Sequence, residues 1–441
     1  MVALLKENAL QVVHIFRFTG NILMAIFLAR QTASPAELAL YEELWLGYTT
    51  LTFAFFWAFS NLLLAEYRAA SARRKPVILG FFYRLSMLLG LAVGGLIAGY
   101  FYYFGAAPLL ASLGFAVFSL AQAVTHLWEY RYYADNRNTA SLILSGATAV
   151  LSLMALVAGF FLVGGVAGAV AGLGAAGTLR LLAFLLVEQG WRWNFRWQTR
   201  FVRLLRRKLL PMLGITFVGG SAAYVDGYLV AFFSEEAEFV LYRYGSRNFP
   251  LLVALAGGAS AALVQQLAGL RFHSNQGRAQ EHMRRQMRKL MHQLYPIALL
   301  VALAAPWLFA ELYGSPQYAK AGFLFAVTLV TIAVRTLLFQ SWFIARGKQS
   351  ILFRISVAEW VLHIAFTVLA LPMLGIFAPL VGVMAGNAFE KLAMSRTMRR
   401  TGLHLNQAVP WGWWLGYNAA LLVTLAGVAV AYQQFTALPL W

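Results

Sequence analysis

Apolar runs of about 20 residues or more recur along this chain, separated by short polar gaps. They fall at 9–30, 38–65, 77–102, 107–132, 138–162, 165–188, 209–233, 247–270, 290–312, 319–345, 350–373, 376–395 and 411–433. A helix of that length crosses ~30 Å of hydrocarbon. The pattern predicts an all-α polytopic membrane protein with about thirteen transmembrane helices. No small-residue cleavage site follows the first run, so it reads as an uncleaved signal-anchor helix.

The gaps alternate in charge. Those after even-numbered runs are basic: Arg68 to Lys75, Arg131 to Arg137, Arg192 to Lys208, Arg271 to Lys289, Arg346 with Lys348, and Arg396 to Arg400. Those after odd-numbered runs are neutral or acidic, as at Glu37, Glu42 and Glu43, Gly105 to Pro108, Gly164-Gly165, and Glu235 to Glu238. Lys and Arg concentrate on the cytoplasmic side of a membrane protein. The alternation therefore predicts a cytoplasmic N-terminus, and an odd count of helices places Trp441 outside.

An internal repeat shows in two small-residue segments. Gly165 to Gly177 opens the sixth run, and Gly375 to Asn387 opens the twelfth about 210 residues later. A weaker echo pairs Leu40-Tyr41 with Leu241-Tyr242. An even number of runs separates the copies, so the repeat is parallel. The predicted organisation is an N-terminal six-helix lobe over 1–190, a basic linker over 191–208, a C-terminal six-helix lobe over 209–400, and an additional C-terminal helix over 401–441. Trp191, Trp193, Phe195 and Trp197 alternate with Arg192, Arg196 and Arg200 in the linker, which suits a segment lying on the cytoplasmic surface. Parallel duplicated lobes usually meet around a substrate cavity, although small residues also serve close helix packing.

Composition narrows the function. Of 441 residues, 61% are hydrophobic and 12% charged, against about 25% charged in a soluble domain. A net charge of +19 would admit nucleic acid, but its placement between apolar runs assigns it to topology and to anionic membrane lipids. The chain has no cysteine, which removes disulfides, thiolate metal sites and cysteine nucleophiles. There is no GxxxxGK[ST] loop and no GxSxG elbow, and His273, Glu281 and His282 lack HExxH spacing. No enzyme activity, cofactor, metal or nucleic-acid partner is expected.

The candidate chemistry lies in ionisable residues inside the runs. Each costs about 2.5–3.5 kcal/mol at a helix centre on insertion scales, so each should face a cavity or a partner. Arg17, Arg84, Arg180 and Arg335 are the candidate substrate-binding cations. Asp226 and Glu359 are the candidate coupling or charge-tuning carboxylates, and Arg243 and Arg247 flank an outer mouth. Arginine forks match phosphate oxygens, so this cationic set suits an anionic headgroup such as a diphosphate. The alternative is internal ion pairing, for example Arg335 with Glu359.

Several segments resemble a known family. They are Ile26 to Arg30 followed by Pro35, Glu37 and Tyr41; then Lys208 to Pro211, Tyr224 to Tyr228 and Phe239 to Pro250; and finally Gly375 to Asn387. Together they resemble the polysaccharide and O-antigen-unit (Wzx-like) flippases of the multidrug/oligosaccharidyl-lipid/polysaccharide exporter superfamily. The resemblance implies two lobes in a V shape, alternating access, and a lipid-diphosphate-linked glycan as substrate in a bacterial plasma membrane. By helix and depth, Arg17 matches a cavity arginine of related lipid-precursor flippases. The expected partners are the lipid-linked saccharide and polysaccharide-assembly membrane proteins, with the chain itself a monomer. Two alternatives stand beside this one: a cation-coupled multidrug exporter of the same superfamily, and a flippase-like subunit of a polysaccharide synthesis-export complex. The exporter would need a mid-membrane carboxylate in the first six runs, and none is found there, Glu66 and Glu129 lying near predicted cytoplasmic ends.

Overall fold

The computed structural model describes residues 9–31, 34–103, 108–188, 199–247, 249–268, 270 and 276–436. The expectations for 191–198 of the linker, for His273 and for Trp441 lie outside the described residues. The chain divides into two compact units, Met1–Ser221 and Ala222–Trp441. All regular structure among the described residues is helical. Among the described residues, seven continuous helical stretches are long and apolar enough to cross a membrane, or eight if the helices flanking Ser221 form one span. Two of the seven, Asn138–Val187 and Gln349–Arg400, fold back on themselves as hairpins.

The first unit contains α1 (Ala9–Gln31), α2 (Pro35–Ala69), α3 (Lys75–Tyr103), α4 (Leu109–Ala134), α5 (Asn138–Gly159), α6 (Gly165–Val187) and α7 (Thr199–Gly220). Helix α4 packs against α2, α3, α5 and α6, and α1 packs on α5. Local chemistry sets the boundaries. Ser34 caps α2 by accepting from the Glu37 amide, with Pro35 in the first turn, where its missing N–H costs nothing. A π-turn over Phe160–Gly164 ends the α5 arm of the hairpin. Gly164 and Gly165 then take φ of 100° and 61°, a region that only glycine enters freely.

Ion pairs staple the basic end of this unit. Glu188, just beyond α6, accepts from Trp128 Nε1 at 2.7 Å and pairs with Arg131. Lys75 lies 3.6 Å from Asp135, which also accepts from the Tyr67 hydroxyl at 3.1 Å. Lys208 reaches Glu66 at 2.6 Å. Lys208 belongs to α7, which begins at Thr199, so the latter part of the expected linker is helix.

The second unit contains α8 (Ala222–Phe233), α9 (Glu236–Gly245), α10 (Pro250–Ala268), α11 (Gln276–Tyr313), α12 (Tyr318–Thr328), α13 (Ile332–Arg335), α14 (Phe339–Ala345), α15 (Gln349–Leu374), α16 (Ala378–Arg400), α17 (Leu405–Ala408) and α18 (Trp411–Thr436). Its packing order repeats that of the first. The contact of α1 with α5 has its counterpart in α8 with α15. Those of α3 with α4 and α5 with α6 have counterparts in α11 with α12 and α15 with α16. Gly375, with φ of 50°, turns the second hairpin as Gly165 turns the first.

Three elements depart from the hydropathy reading. Helix α11 begins at Gln276 rather than near 290. Its 38 residues span about 57 Å at 1.5 Å per residue, well beyond the hydrocarbon core. Met283, Met287, Leu290, Met291 and Leu294 are buried along its inner face, while Arg284, Arg285, Arg288 and Lys289 are exposed. This helical stripe sits inside a stretch whose charge had marked it as a gap. Helix α9 fills the acidic gap between the seventh and eighth runs, where no helix was expected. The tenth run is split after Arg335, because the Ala333 carbonyl takes the indole N–H of Trp414 at 2.8 Å and the Thr336 hydroxyl at 3.2 Å. The Leu337 amide turns to Val334 instead.

Candidate functional site

A polar stripe runs down α4. Phe118, Gln122, His126 and Glu129 follow one another at spacings of four, four and three, which puts them on one helix face. In an otherwise apolar helix that face needs polar partners, and α1, α2 and α6 supply them. Arg17 of α1 donates Nη1 to His126 Nδ1 at 2.6 Å and pairs through Nη2 with Glu129. His126 Nε2 is 2.8 Å from the Ser60 hydroxyl of α2. The imidazole is stacked between Phe56 and Tyr130, with centroids at 4.6 and 5.0 Å. Glu129 is 3% exposed, so its charge is supported by Arg17 rather than by water.

Arg180 joins this interior from α6. Its Nη1 donates to Gln122 Oε1 at 2.9 Å, and its guanidinium lies 5.1 Å from the Phe118 ring centre. Arg17, Glu129 and Tyr48 are within electrostatic range of it. The interior of the first unit therefore brings together two of the four candidate cations, with Glu129 between them. Arg84 is half-buried along α3, its Nη2 lying 4.0 Å from where a Cβ on Gly80 would be.

The second unit holds an acidic counterpart. Glu359, His363 and Thr367 are spaced four apart on α15 and share a face. Asp226 of α8 accepts from His363 Nε2 at 2.8 Å and from the Thr367 hydroxyl at 3.1 Å. His363 Nδ1 lies 3.8 Å from Glu359 Oε1. Asp226 is 2% exposed and His363 4%. Gly382 and Gly386 of α16 leave the room these side chains occupy: a Cβ at Gly382 would meet Thr367 Oγ1 and the His363 carbonyl, and one at Gly386 would meet Glu359.

The remaining candidates lie apart from that triad. Arg335 is an exposed side chain at the end of α13, where the tenth run breaks. Arg243 lies within electrostatic range of Tyr224 and Tyr242, and Tyr242 in turn is in range of Asp226. Arg247 sits 5.2 Å from the centre of the Tyr244 ring, which stacks on Tyr313 at 4.5 Å. Among the described residues no group of three His, Asp or Glu is arranged to hold a metal ion.

Sequence reasoning missed His126, Gln122 and His363, and it set Glu129 aside as a residue of the cytoplasmic end. The signal was present as polar residues at helical spacing within apolar runs, on α4 and again on α15.

No protein-family model matches the sequence, and no curated protein matches it. Solved structures do match its fold. The lipid II flippase MurJ in an inward closed conformation superposes with a TM-score of 0.65 at 14% identity, covering 97% of this chain and 94% of that one. A transporter of the MOP superfamily from Pyrococcus furiosus, described as having a binding pocket of reverse polarity that suggests a different function, gives 0.60 at 13% identity, covering 90% and 94%. An outward-facing multidrug resistance transporter of the MATE family gives 0.59 at 13% identity, with the same coverage. This chain has the fold of the MOP-superfamily transporters.

Proposed function

We propose that this chain is a MOP-type transporter that carries a lipid-diphosphate-linked oligosaccharide across the plasma membrane by alternating access. The observation that carries the reading is the charge around Glu129 in the first unit's interior, where Arg17 and Arg180 both lie within range of its carboxylate. A lipophilic cation is repelled by such a site, whereas a diphosphate gains charge-assisted hydrogen bonds from it. Likeness in fold to a lipid II flippase supports the same reading.

In this account Glu129 holds Arg17 in place while the site is empty, and an arriving phosphoryl group competes for the same guanidinium. Exchange of one anion for another keeps binding moderate, which release on the far side requires. Asp226, His363 and Glu359 tune the charge of the second unit. The rival reading, a cation-coupled exporter, would draw on a carboxylate within the first unit, and buried Glu129 is the residue it would use. Anionic lipids are proposed to bind the exposed arginines of α11 and α16 on the cytoplasmic side.

Reconstituted proteoliposomes separate the two readings. The expected result is movement of a fluorescent short-chain lipid-diphosphate saccharide between leaflets, with no accumulation of ethidium. Ethidium transport without lipid movement would sink the flippase reading.

A further inference from the structure

The tenth run breaks between α13 and α14 without a residue that forces it. No glycine or proline stands between Gly322 and Gly347. Helices are interrupted by proline, by glycine and serine pairs, or by a side chain that enters the hydrogen-bond ladder. The third cause operates here. In a continuous helix the Ala333 carbonyl accepts from the Leu337 amide. Here it accepts from Trp414 Nε1 at 2.8 Å and from the Thr336 hydroxyl at 3.2 Å, which uses both of its lone pairs. The Leu337 amide falls back on Val334 at 3.3 Å, and the Phe339 amide on Leu337 at 2.8 Å. The first unit's counterpart of α12, helix α4, is unbroken over 26 residues.

Helix α18 brings Trp414 to the break. It packs on α11, on α12 and on the turn Leu329–Thr331. Two residues next to Trp414 in the following turn tie it to α11. Asn418 Oδ1 accepts from the Tyr295 hydroxyl at 2.9 Å, while its Nδ2 donates to the Trp414 carbonyl at 2.7 Å. The Tyr417 ring stacks on Tyr295 at 4.9 Å, and its hydroxyl lies 2.8 Å from His292 Nδ1. The indole of Trp414 is therefore held from two helices against a carbonyl of a third. A buried carbonyl must keep a partner, and the indole and the Leu337 amide are competing donors for this one.

We propose that Trp414 is a latch that holds the tenth run broken, and that its withdrawal returns the Leu337 amide to Ala333 and joins α13 to α14 as one helix. Arg335 and Gln340 flank the break, and Gln340 donates to Glu390 of α16 at 2.7 Å. Closure would turn α14 against α16 and give the second unit a second packing arrangement, set by whether α18 is engaged. That the two arrangements alternate during transport rests on the transporter reading above; the latch itself does not.

The test is hydrogen exchange, read by mass spectrometry on peptides covering 334–340 of the purified full-length chain in detergent. Trp414→Phe keeps an aromatic ring in the slot and removes the donor. Exchange over 334–340 should become severalfold slower as the helical bond forms, an outcome that loss of packing alone would reverse. Thr336→Val frees the other lone pair of Ala333 and should act in the same direction, which keeps the test open if Trp414→Phe fails to fold. Trp411→Phe, one turn earlier on α18, should leave this segment at the wild-type rate. Unchanged or faster exchange over 334–340 in the variants that fold overturns the latch, as does equal slowing by Trp411→Phe. Slower exchange in a chain that moves no lipid in proteoliposomes would retire the flippase reading and leave the latch standing.

Discussion

Arg17 and Glu129, 112 residues apart in sequence, form an ion pair between α1 and α4, with their side chains 17% and 4% exposed. Neither charge has much water to fall back on. Removing one partner of a buried pair strands the other, at about 3–5 kcal/mol. Arg17→Gln and Glu129→Gln should therefore each lower the melting temperature of the purified protein sharply. The double variant should lose clearly less than the sum, because it strands nothing. Additive losses would mean that the two residues are stabilised by separate partners.

A second pair ties α8 to α15. Asp226 accepts from His363 and Thr367, so Asp226→Asn and His363→Gln disturb one network. A double-mutant cycle should give a coupling of about 1–3 kcal/mol, as expected for residues in contact. Thr367→Val should cost about 1 kcal/mol as one lost hydrogen bond. A cycle that closes at zero would show that the histidine and the aspartate act independently.

The two hairpins make a prediction about glycine. A Cβ at Gly172 would press on the Ala155 carbonyl, and one at Gly382 on the His363 carbonyl and Thr367. Nothing lies within 4 Å of the same position at Gly95. Gly172→Val and Gly382→Val should abolish a monodisperse peak in fluorescence-detected chromatography. Gly95→Ala should be neutral or stabilising by up to about 1 kcal/mol, the helix-propensity difference. Comparable behaviour of all three would remove the close-packing account of the hairpins.

Much of this fold can be read in the sequence, because membrane crossing imposes length and hydropathy directly. The hairpin turns at Gly165 and Gly375 could be found because each is a glycine between two apolar runs. What escaped was structure whose signal ran against the local charge. The extension of α11 over Gln276–Leu290 is basic enough to look like a loop, yet its buried methionines recur at helical spacing. The break after Arg335 is legible only in three dimensions, since it depends on Trp414 reaching Ala333 from α18. The site was half legible. Arg17, Arg180 and Asp226 stood out as charges in apolar runs. Their partners Glu129, Gln122 and His363 did not, since a polar residue near a helix end or a lone histidine is unremarkable until its neighbour is known.

The absence of cysteine makes topology directly measurable. Ser71, between α2 and α3, and Ser315, between α11 and α12, lie in gaps predicted to be on opposite sides. Applied from outside to intact cells, a membrane-impermeant maleimide should label Ser315→Cys and leave Ser71→Cys unlabelled until the membrane is permeabilised. The reverse pattern would invert the orientation, and labelling of both from outside would break the predicted alternation.

Buried arginines of the first unit are proposed to recognise a lipid-linked diphosphate. The most direct measurement is the rate at which a fluorescent short-chain lipid-diphosphate saccharide changes leaflet in proteoliposomes. It should be compared between the wild type and three variants reconstituted at equal density: Arg17→Ala, Arg180→Ala and Arg180→Lys. The wild type should move the lipid, both alanine variants should fall to the rate of empty liposomes, and Arg180→Lys should recover only part of the rate. Movement of the lipid at the wild-type rate by both alanine variants would contradict the claim.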